Sequence, residues 1–190
     1  MIIGITGGTG CGKTTLLRQI QARGGMILDC DEIYHGLLRS DRQMLTDIAE
    51  RFPETMENGV LDRKKLGGMV FADPEALLDL NRITHSAVRA EVLRRLESAP
   101  RLTAIDAIAL FEGGLAELCD VTVAVTAPVE SRVARLMCRD GISEEYARKR
   151  IAAQKPDGFF AEACDVVLEN TGDLPSFQEK CRELLEQLCK

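Results

Sequence analysis

Gly7-Gly8-Thr9-Gly10-Cys11-Gly12-Lys13-Thr14 matches G-x-x-x-x-G-K-[ST] at every fixed position. Glycines in such a loop let the backbone take positive φ and turn consecutive N–H groups onto a polyphosphate without Cβ obstruction. A helix beginning near Lys13 adds its positive dipole end. The Lys13 ammonium can span β- and γ-phosphates, and the Thr14 hydroxyl can ligate Mg²⁺. The chemistry that suits this spacing is nucleotide binding, with Gly8, Thr9, Gly10, Cys11, Gly12, Lys13, Thr14 and Thr15 as the phosphate-binding residues. Glycine-rich strand–helix turns also occur without nucleotides, but this one follows a strand-like run and opens a helix-like one, as the chemistry requires. Cys11 stands beside a lysine and a helix N-terminus, which would lower a thiol pKa. Phosphoryl transfer needs no thiol, so its expected role is to fill a tight turn.

Other residues could act on what the loop holds. Asp29 and Asp31 follow a short apolar run. One can cap the next helix while the other accepts the proton of an acceptor hydroxyl, and spacing alone does not divide the two roles. Asp106 ends the run Leu102-Thr103-Ala104-Ile105, placed either to support a metal ion or to cap a turn. Arg132, Arg135 and Arg139 recur at i, i+3 and i+7, hence on one helix face, and Arg148, Lys149 and Arg150 follow. Most charge runs are solvated faces. A transferring phosphoryl group nevertheless needs cationic clamps, so this segment is the expected source of a lid or an arginine finger. His85 lies in an apolar-striped helical stretch and reads as a structural histidine.

The elements that must position these residues alternate. Residues 2–6, 26–29, 102–106, 121–126 and 165–169 are short runs of strand character. Thr14–Arg23 carries Leu16, Leu17 and Ile20 on one helical face, which completes a βαβ unit within the first thirty or so residues. Val129–Arg139 reads as a helix with Val133, Leu136 and Met137 inward and Pro128 in its first turn. Ser143 caps another helix, and a terminal helix carries the stripe Phe177, Cys181, Leu184, Leu185 and Leu188. A short helix is expected after Glu112. Between Asp31 and Pro100 no strand is expected. Helices are read at 41–51, 62–72 and 75–98, with a loop around Pro53–Gly59. About seventy residues is too long for a simple crossover, so this stretch reads as a helical, substrate-binding insertion. The fold class is therefore α/β: a five-stranded parallel sheet flanked by helices, its ligand crevice at the strands' carboxyl ends.

Composition narrows the field of functions. The chain has 190 residues, 45% hydrophobic and 28% charged, which suits one globular domain and not a disordered or fibrous chain. Its net charge of −6 argues against non-specific nucleic-acid binding. No apolar run approaches the ~18 residues of a membrane span. The seven cysteines are scattered without a CxxC pair, a pattern of a reduced, cytoplasmic protein and not of a disulfide or zinc scaffold.

Beyond the loop, an ordered set of weaker motifs resembles the dephospho-CoA kinase family nearly end to end. It comprises Asp29-Cys30-Asp31, Gly59-Val60-Leu61-Asp62-Arg63, Val70-Phe71, His85, Asp106 through Leu110-Phe111-Glu112, Arg139-Asp140, Arg150-Ile151-Ala152-Ala153-Gln154, and Asp165 with Asn170-x-Gly172. The resemblance implies a P-loop NTPase fold as a single kinase domain. Its core would be 1–30, 101–139 and 164–190, its helical substrate-binding insertion 31–100 and its lid about 140–163. It implies ATP-dependent phosphorylation of the ribose 3′-hydroxyl of dephospho-CoA, with Mg²⁺ and no nucleic-acid or membrane partner, in a monomer or small homo-oligomer. Asp31 would be the general base, and Lys13 and Arg139 would stabilise the γ-phosphoryl group. Thr14 and Asp106 would serve the metal, and Asp31, His85 and Asp106 would bind the acceptor. Three positions depart from the family pattern: Ser86 and Ile108 stand in place of prolines, and Phe160 stands in place of a basic residue. Lys155 or Arg150 is the expected substitute for that cation.

Another nucleoside monophosphate or small-molecule P-loop kinase would share the loop, insertion and lid. A nucleotide-dependent switch would too, but the chain has no N-K-x-D guanine-reading sequence.

Overall fold

The computed structural model describes residues 1–57 and 59–189. Five strands, β1 (Ile2–Thr6), β2 (Met26–Asp29), β5 (Thr103–Asp106), β6 (Val121–Thr126) and β7 (Val166–Glu169), form one sheet in the order β2-β5-β1-β6-β7. β1 runs parallel to β5 and to β6, and β6 runs parallel to β7. The central strand is buried along nearly its whole length, as a parallel strand covered on both faces must be. Contacts divide the chain into two compact units: residues 1–28, 99–111 and 115–190, and residues 29–98 with 112–114.

In the first unit, α1 (Lys13–Ala22) and α9 (Leu174–Leu188) pack on the sheet. Leu16 and Ile20 of α1 meet Phe177, Cys181 and Leu185 of α9 within a core that includes Ile3, Ile5 and Val123. The terminal stripe lies as its periodicity predicts, with Leu188 only partly buried. A 3-10 turn, Ala116–Leu118, stands where a short helix was expected. α6 (Val129–Asp140), α7 (Glu144–Ala152) and α8 (Asp157–Ala163) follow β6 in sequence. Pro128 precedes the first turn of α6, and Ser143 caps α7 by accepting from Tyr146 N at 3.2 Å. The inward face of α6 differs from expectation by one position. Arg132, Val133 and Leu136 are buried, whereas Met137 is 40% exposed.

The second unit contains α2 (Cys30–Ser40), α3 (Arg42–Arg51), α4 (Arg63–Ala72) and α5 (Pro74–Leu96). An aspartate opens each: Asp29, Asp41, Asp62 and Asp73 accept backbone N–H bonds of 2.9–3.0 Å from their first turns. Leu38, Met44, Ile48, Phe52, Leu66 and Val70 make the core of this unit. The expectation of no strand here is corrected: β3 (Met56–Glu57) and β4 (Val60–Leu61) pair antiparallel. Two-residue strands are too short to show alternation in sequence. Of the loop expected at Pro53–Gly59, Pro53–Thr55 is a 3-10 turn, and Asn58 lies outside the described residues. Among the described residues no helix is long and apolar enough to cross a membrane.

Candidate active site

The phosphate loop joins β1 to α1. Gly7, Gly10 and Gly12 have φ of 133°, 77° and 111°, a region costly for side-chain-bearing residues. Gly12 is the residue that starts α1, and a Cβ there would fall 2.4 Å from Asn170 Nδ2. That amide is buried and donates to Cys11 O at 2.8 Å, so it holds the loop from behind. Arg135 Nη1 donates to Gly10 O at 3.1 Å and to Cys11 O at 3.3 Å. Loop carbonyls are held in this way, and of the loop N–H groups that of Thr9 donates to Gln154 Oε1 at 2.7 Å and that of Cys11 to Gly8 O at 3.3 Å.

A cavity of about 330 Å³ opens at the start of α1, lined by Gly10, Gly12, Lys13, Thr14, Arg135 and Arg139, with Leu136 and Cys138. Six of the residues singled out in the sequence for chemistry thus line one cavity: Gly10, Gly12, Lys13, Thr14, Arg135 and Arg139. Lys13 Nζ donates to Gly7 O at 2.9 Å, within the loop itself. Thr14 is exposed, and Thr15 N donates to Gly12 O at 2.9 Å. Cys11 is buried, and desolvation pushes its thiol up despite the opposing pull of Lys13. It fills the turn, as expected. Asp106 ends β5 in register with Ile5 of β1, one residue short of the strand's end.

The arginines that sequence places on one face divide. Arg139 reaches the cavity wall, and its guanidinium forks onto Asp140 at 2.6 and 3.0 Å. Hydrogen bonds from Arg139, outweighing burial, and then from Arg150 hold the Asp140 carboxyl down at about 2. Arg132 is buried and does not line this cavity; its Nε donates to Thr9 O at 2.8 Å. Arg148 pairs with Glu130 and Glu144, Lys149 with Glu145, and Arg150 with Asp140, all within 2.7–2.8 Å. Where the family pattern has a cation, Phe160 is 1% exposed and stands edge-on to Phe159. Of the expected substitutes, Lys155 Nζ sits 4.0 Å over the Phe159 ring, and Arg150 is on Asp140.

In the second unit, Asp29 caps α2 by accepting from Glu32 N at 3.0 Å. Asp31 is exposed in the first turn of the same helix, two residues past the end of β2. His85 is half-buried on α5. The residues that sequence reasoning missed as loop supports are Arg132, Gln154 and Asn170. The last two were visible as family motifs, but nothing local in sequence marks a side chain as the partner of a distant peptide group.

This sheet order, with a glycine-rich loop leading into a helix beside the central strand, defines a P-loop nucleotide-binding fold. A family model described as dephospho-CoA kinase matches residues 1–176. The dephospho-CoA kinase of Anaeromyxobacter dehalogenans is 38% identical, over 98% of this chain and 92% of that protein. A crystal structure from Thermus thermophilus is 34% identical with a TM-score of 0.81, covering 99% of this chain and 97% of that one. The dephospho-CoA kinase from Campylobacter jejuni shares the fold at a TM-score of 0.70 and 24% identity, over 98% and 96% of the two chains. The chain belongs to the dephospho-CoA kinase family.

Proposed function

We propose that this chain transfers the γ-phosphoryl group of ATP to the ribose 3′-hydroxyl of dephospho-CoA, giving coenzyme A and ADP in the cytoplasm. The observation that carries the reading is the family relationship over 98% of the chain. The cavity beside Lys13 and Thr14 supports it.

The loop N–H groups would hold the phosphates, and Lys13 would exchange the Gly7 carbonyl for phosphate oxygens. Arg139 would share or leave Asp140 to meet charge on the transferring group. Asp31 would orient the acceptor hydroxyl and take its proton late, because the transition state is largely dissociative. Residues 31–100, with His85, would receive dephospho-CoA within a single kinase domain whose core is 1–30, 101–139 and 164–190. Residues 140–163 would form the lid that excludes water, with Gln154 and Asp157 as its fixed base beside the loop.

Mg²⁺ fits the donors at hand. Such an ion takes most of its oxygens from phosphates and waters, with one or two from protein. The Thr14 hydroxyl, which lines the cavity, and the Asp106 carboxylate would hold the ion. When bound, the ion would neutralise charge on the β- and γ-oxygens.

The test is incubation with ATP, Mg²⁺ and dephospho-CoA beside nucleoside monophosphates, with phosphorus NMR of the product. A new 3′-phosphomonoester on dephospho-CoA is expected. Phosphorylation of a nucleoside monophosphate with dephospho-CoA untouched would make the chain a different small-molecule kinase.

A further inference from the structure

Of the side chains on which the phosphate loop rests, Arg135 also lines its cavity, whereas Arg132, Gln154 and Asn170 do not. Both peptide groups of Thr9 are taken. Its N–H donates to Gln154 Oε1 at 2.7 Å, and its carbonyl accepts from Arg132 Nε at 2.8 Å. The same guanidinium donates through Nη1 to Asp157 Oδ1 at 2.8 Å and through Nη2 to Gln154 Oε1 at 3.3 Å. The Arg132 side chain is 3% exposed. A cation so deprived of water persists only where acceptors surround it, and here the acceptors come from the loop, from Gln154 after α7 and from Asp157, the first residue of α8.

Gly8 points to the same residue independently. Its φ is not positive, so its backbone conformation does not demand glycine. A Cβ at Gly8 would fall 2.2 Å from Arg132 Nη2, and one at Gly10 would fall 3.0 Å from the Arg132 carbonyl oxygen. Arg132 is held by its hydrogen bonds and cannot swing away cheaply. The loop therefore lies on this guanidinium closer than any side chain would permit. Asp157 opens α8, in which Phe160 is the buried residue.

We propose that Arg132, Gln154 and Asp157 form a brace that holds Thr9, and with it the phosphate loop, in its nucleotide-competent shape. Arg132 is a positioning residue: it acts on phosphate affinity through the Thr9 peptide and makes no contact with the nucleotide. Where it concerns ATP turnover, the inference rests on the functional reading above. If loosening the brace leaves only a tenth of the molecules with a competent loop, apparent nucleotide affinity falls ~10-fold.

The experiment measures Mg·ADP affinity by titration calorimetry for the wild type, Arg132→Lys, Asp157→Asn and the double variant, with hydrogen exchange and thermal melts alongside. Lysine keeps the charge but loses the planar fork that serves several acceptors. Arg132→Lys should bind ADP roughly 10- to 100-fold more weakly, the range expected for a lost charged hydrogen bond. Exchange should rise in residues 7–12 while β1 and β6 stay protected. KM for ATP should rise in step, with KM for dephospho-CoA unmoved. Asp157→Asn keeps an oxygen acceptor and should lose less, and the double variant should be no worse than Arg132→Lys alone. A lowered melting temperature with wild-type ADP affinity in the folded variants would overturn the proposal. If Arg132→Lys does not fold, Gln154→Ala carries the same test through the Thr9 N–H, and unchanged ADP affinity there overturns it equally. ADP binding does not involve the acceptor, so a wild type that binds Mg·ADP but ignores dephospho-CoA refutes the functional reading alone and leaves the brace to be judged by affinity.

Discussion

Phe160 stands where the family pattern has a basic residue, and Phe160→Lys asks whether that cation is missing from the site or has been replaced by packing. The ring is 1% exposed and meets Phe159 edge-on, with centroids 5.5 Å apart at 79°. Truncating such a ring to alanine costs ~3–5 kcal/mol, of which the aromatic pair accounts for ~0.5–1.5 kcal/mol. Lysine would lay part of its stem in the vacated space and push its ammonium toward water, which recovers some of that loss. A net cost of ~2–4 kcal/mol follows. At ~2–4 °C per kcal/mol for a chain of this size, the melting temperature should fall by roughly 5–15 °C. Hydrogen exchange should rise first in residues 157–163, because α8 is a short helix held largely by this side chain. Turnover should not improve, since α8, which begins at Asp157, would lose its buried side chain. The assay combines a thermal melt, exchange of α8 peptides and kcat with ATP and dephospho-CoA. An unchanged melt and unchanged exchange, together with a higher kcat, would refute the packing argument and show that this position wants a cation.

Lys13→Ala should lower kcat by ~10²–10³ with little change in the melt, because the ammonium acts on charge that shifts during transfer and its resting partner is one loop carbonyl; near-normal turnover would remove it from the reaction. Asp31→Asn should lower kcat by ~10²–10⁴ with ATP affinity little changed. Asp29→Asn should stay active, since asparagine caps α2 about as well; the reverse outcome would exchange the two roles. Asp140, held at about 2 chiefly by Arg139, lies below its unfolded value of ~3.9, so its contribution is full above that value and is lost as pH falls through the folded one. The melting-temperature gap between wild type and Asp140→Asn should hold steady above roughly pH 5 and close toward pH 2; a gap that persists at pH 2 would contradict this pairing.

Much of the scaffold was legible because its signals are local. The β-branched run at Ile2–Thr6, the glycine motif and the apolar stripe of α9 each carry their own period, and each forms the element expected. The aspartates at 41 and 62, which opened two of the expected helices, are N-caps, one residue ahead of the first turn. What sequence could not resolve is long-range. Met137 was expected inward because it is apolar, yet α6 turns Arg132 inward, since the hydrogen-bonding demand of Thr9, Gln154 and Asp157 outweighs side-chain hydropathy at that position. The pairing of β3 with β4 escaped for a different reason: each strand is two residues long, shorter than any window in which alternation can be read.

The arginines of this region show most clearly what burial adds to a sequence pattern. By spacing, Arg132 and Arg139 are equivalent, seven residues apart on one helix, and either could be assigned to a phosphate. Their environments separate them. Arg139 is 59% exposed in its pair with Asp140, and Arg150 is 38% exposed in its own pair with the same carboxylate. Exposed pairs of this kind are weak and screened by water, so a polyphosphate, with more charge and more oxygens, can draw either cation away from Asp140 at little cost. Arg132, 3% exposed, would have to abandon Thr9, Gln154 and Asp157 and leave buried acceptors unmet. The cation available to a transferring phosphoryl group is therefore the one whose present partner is weakly held. The cation that is tightly held acts earlier, by keeping the loop in the shape that receives the nucleotide.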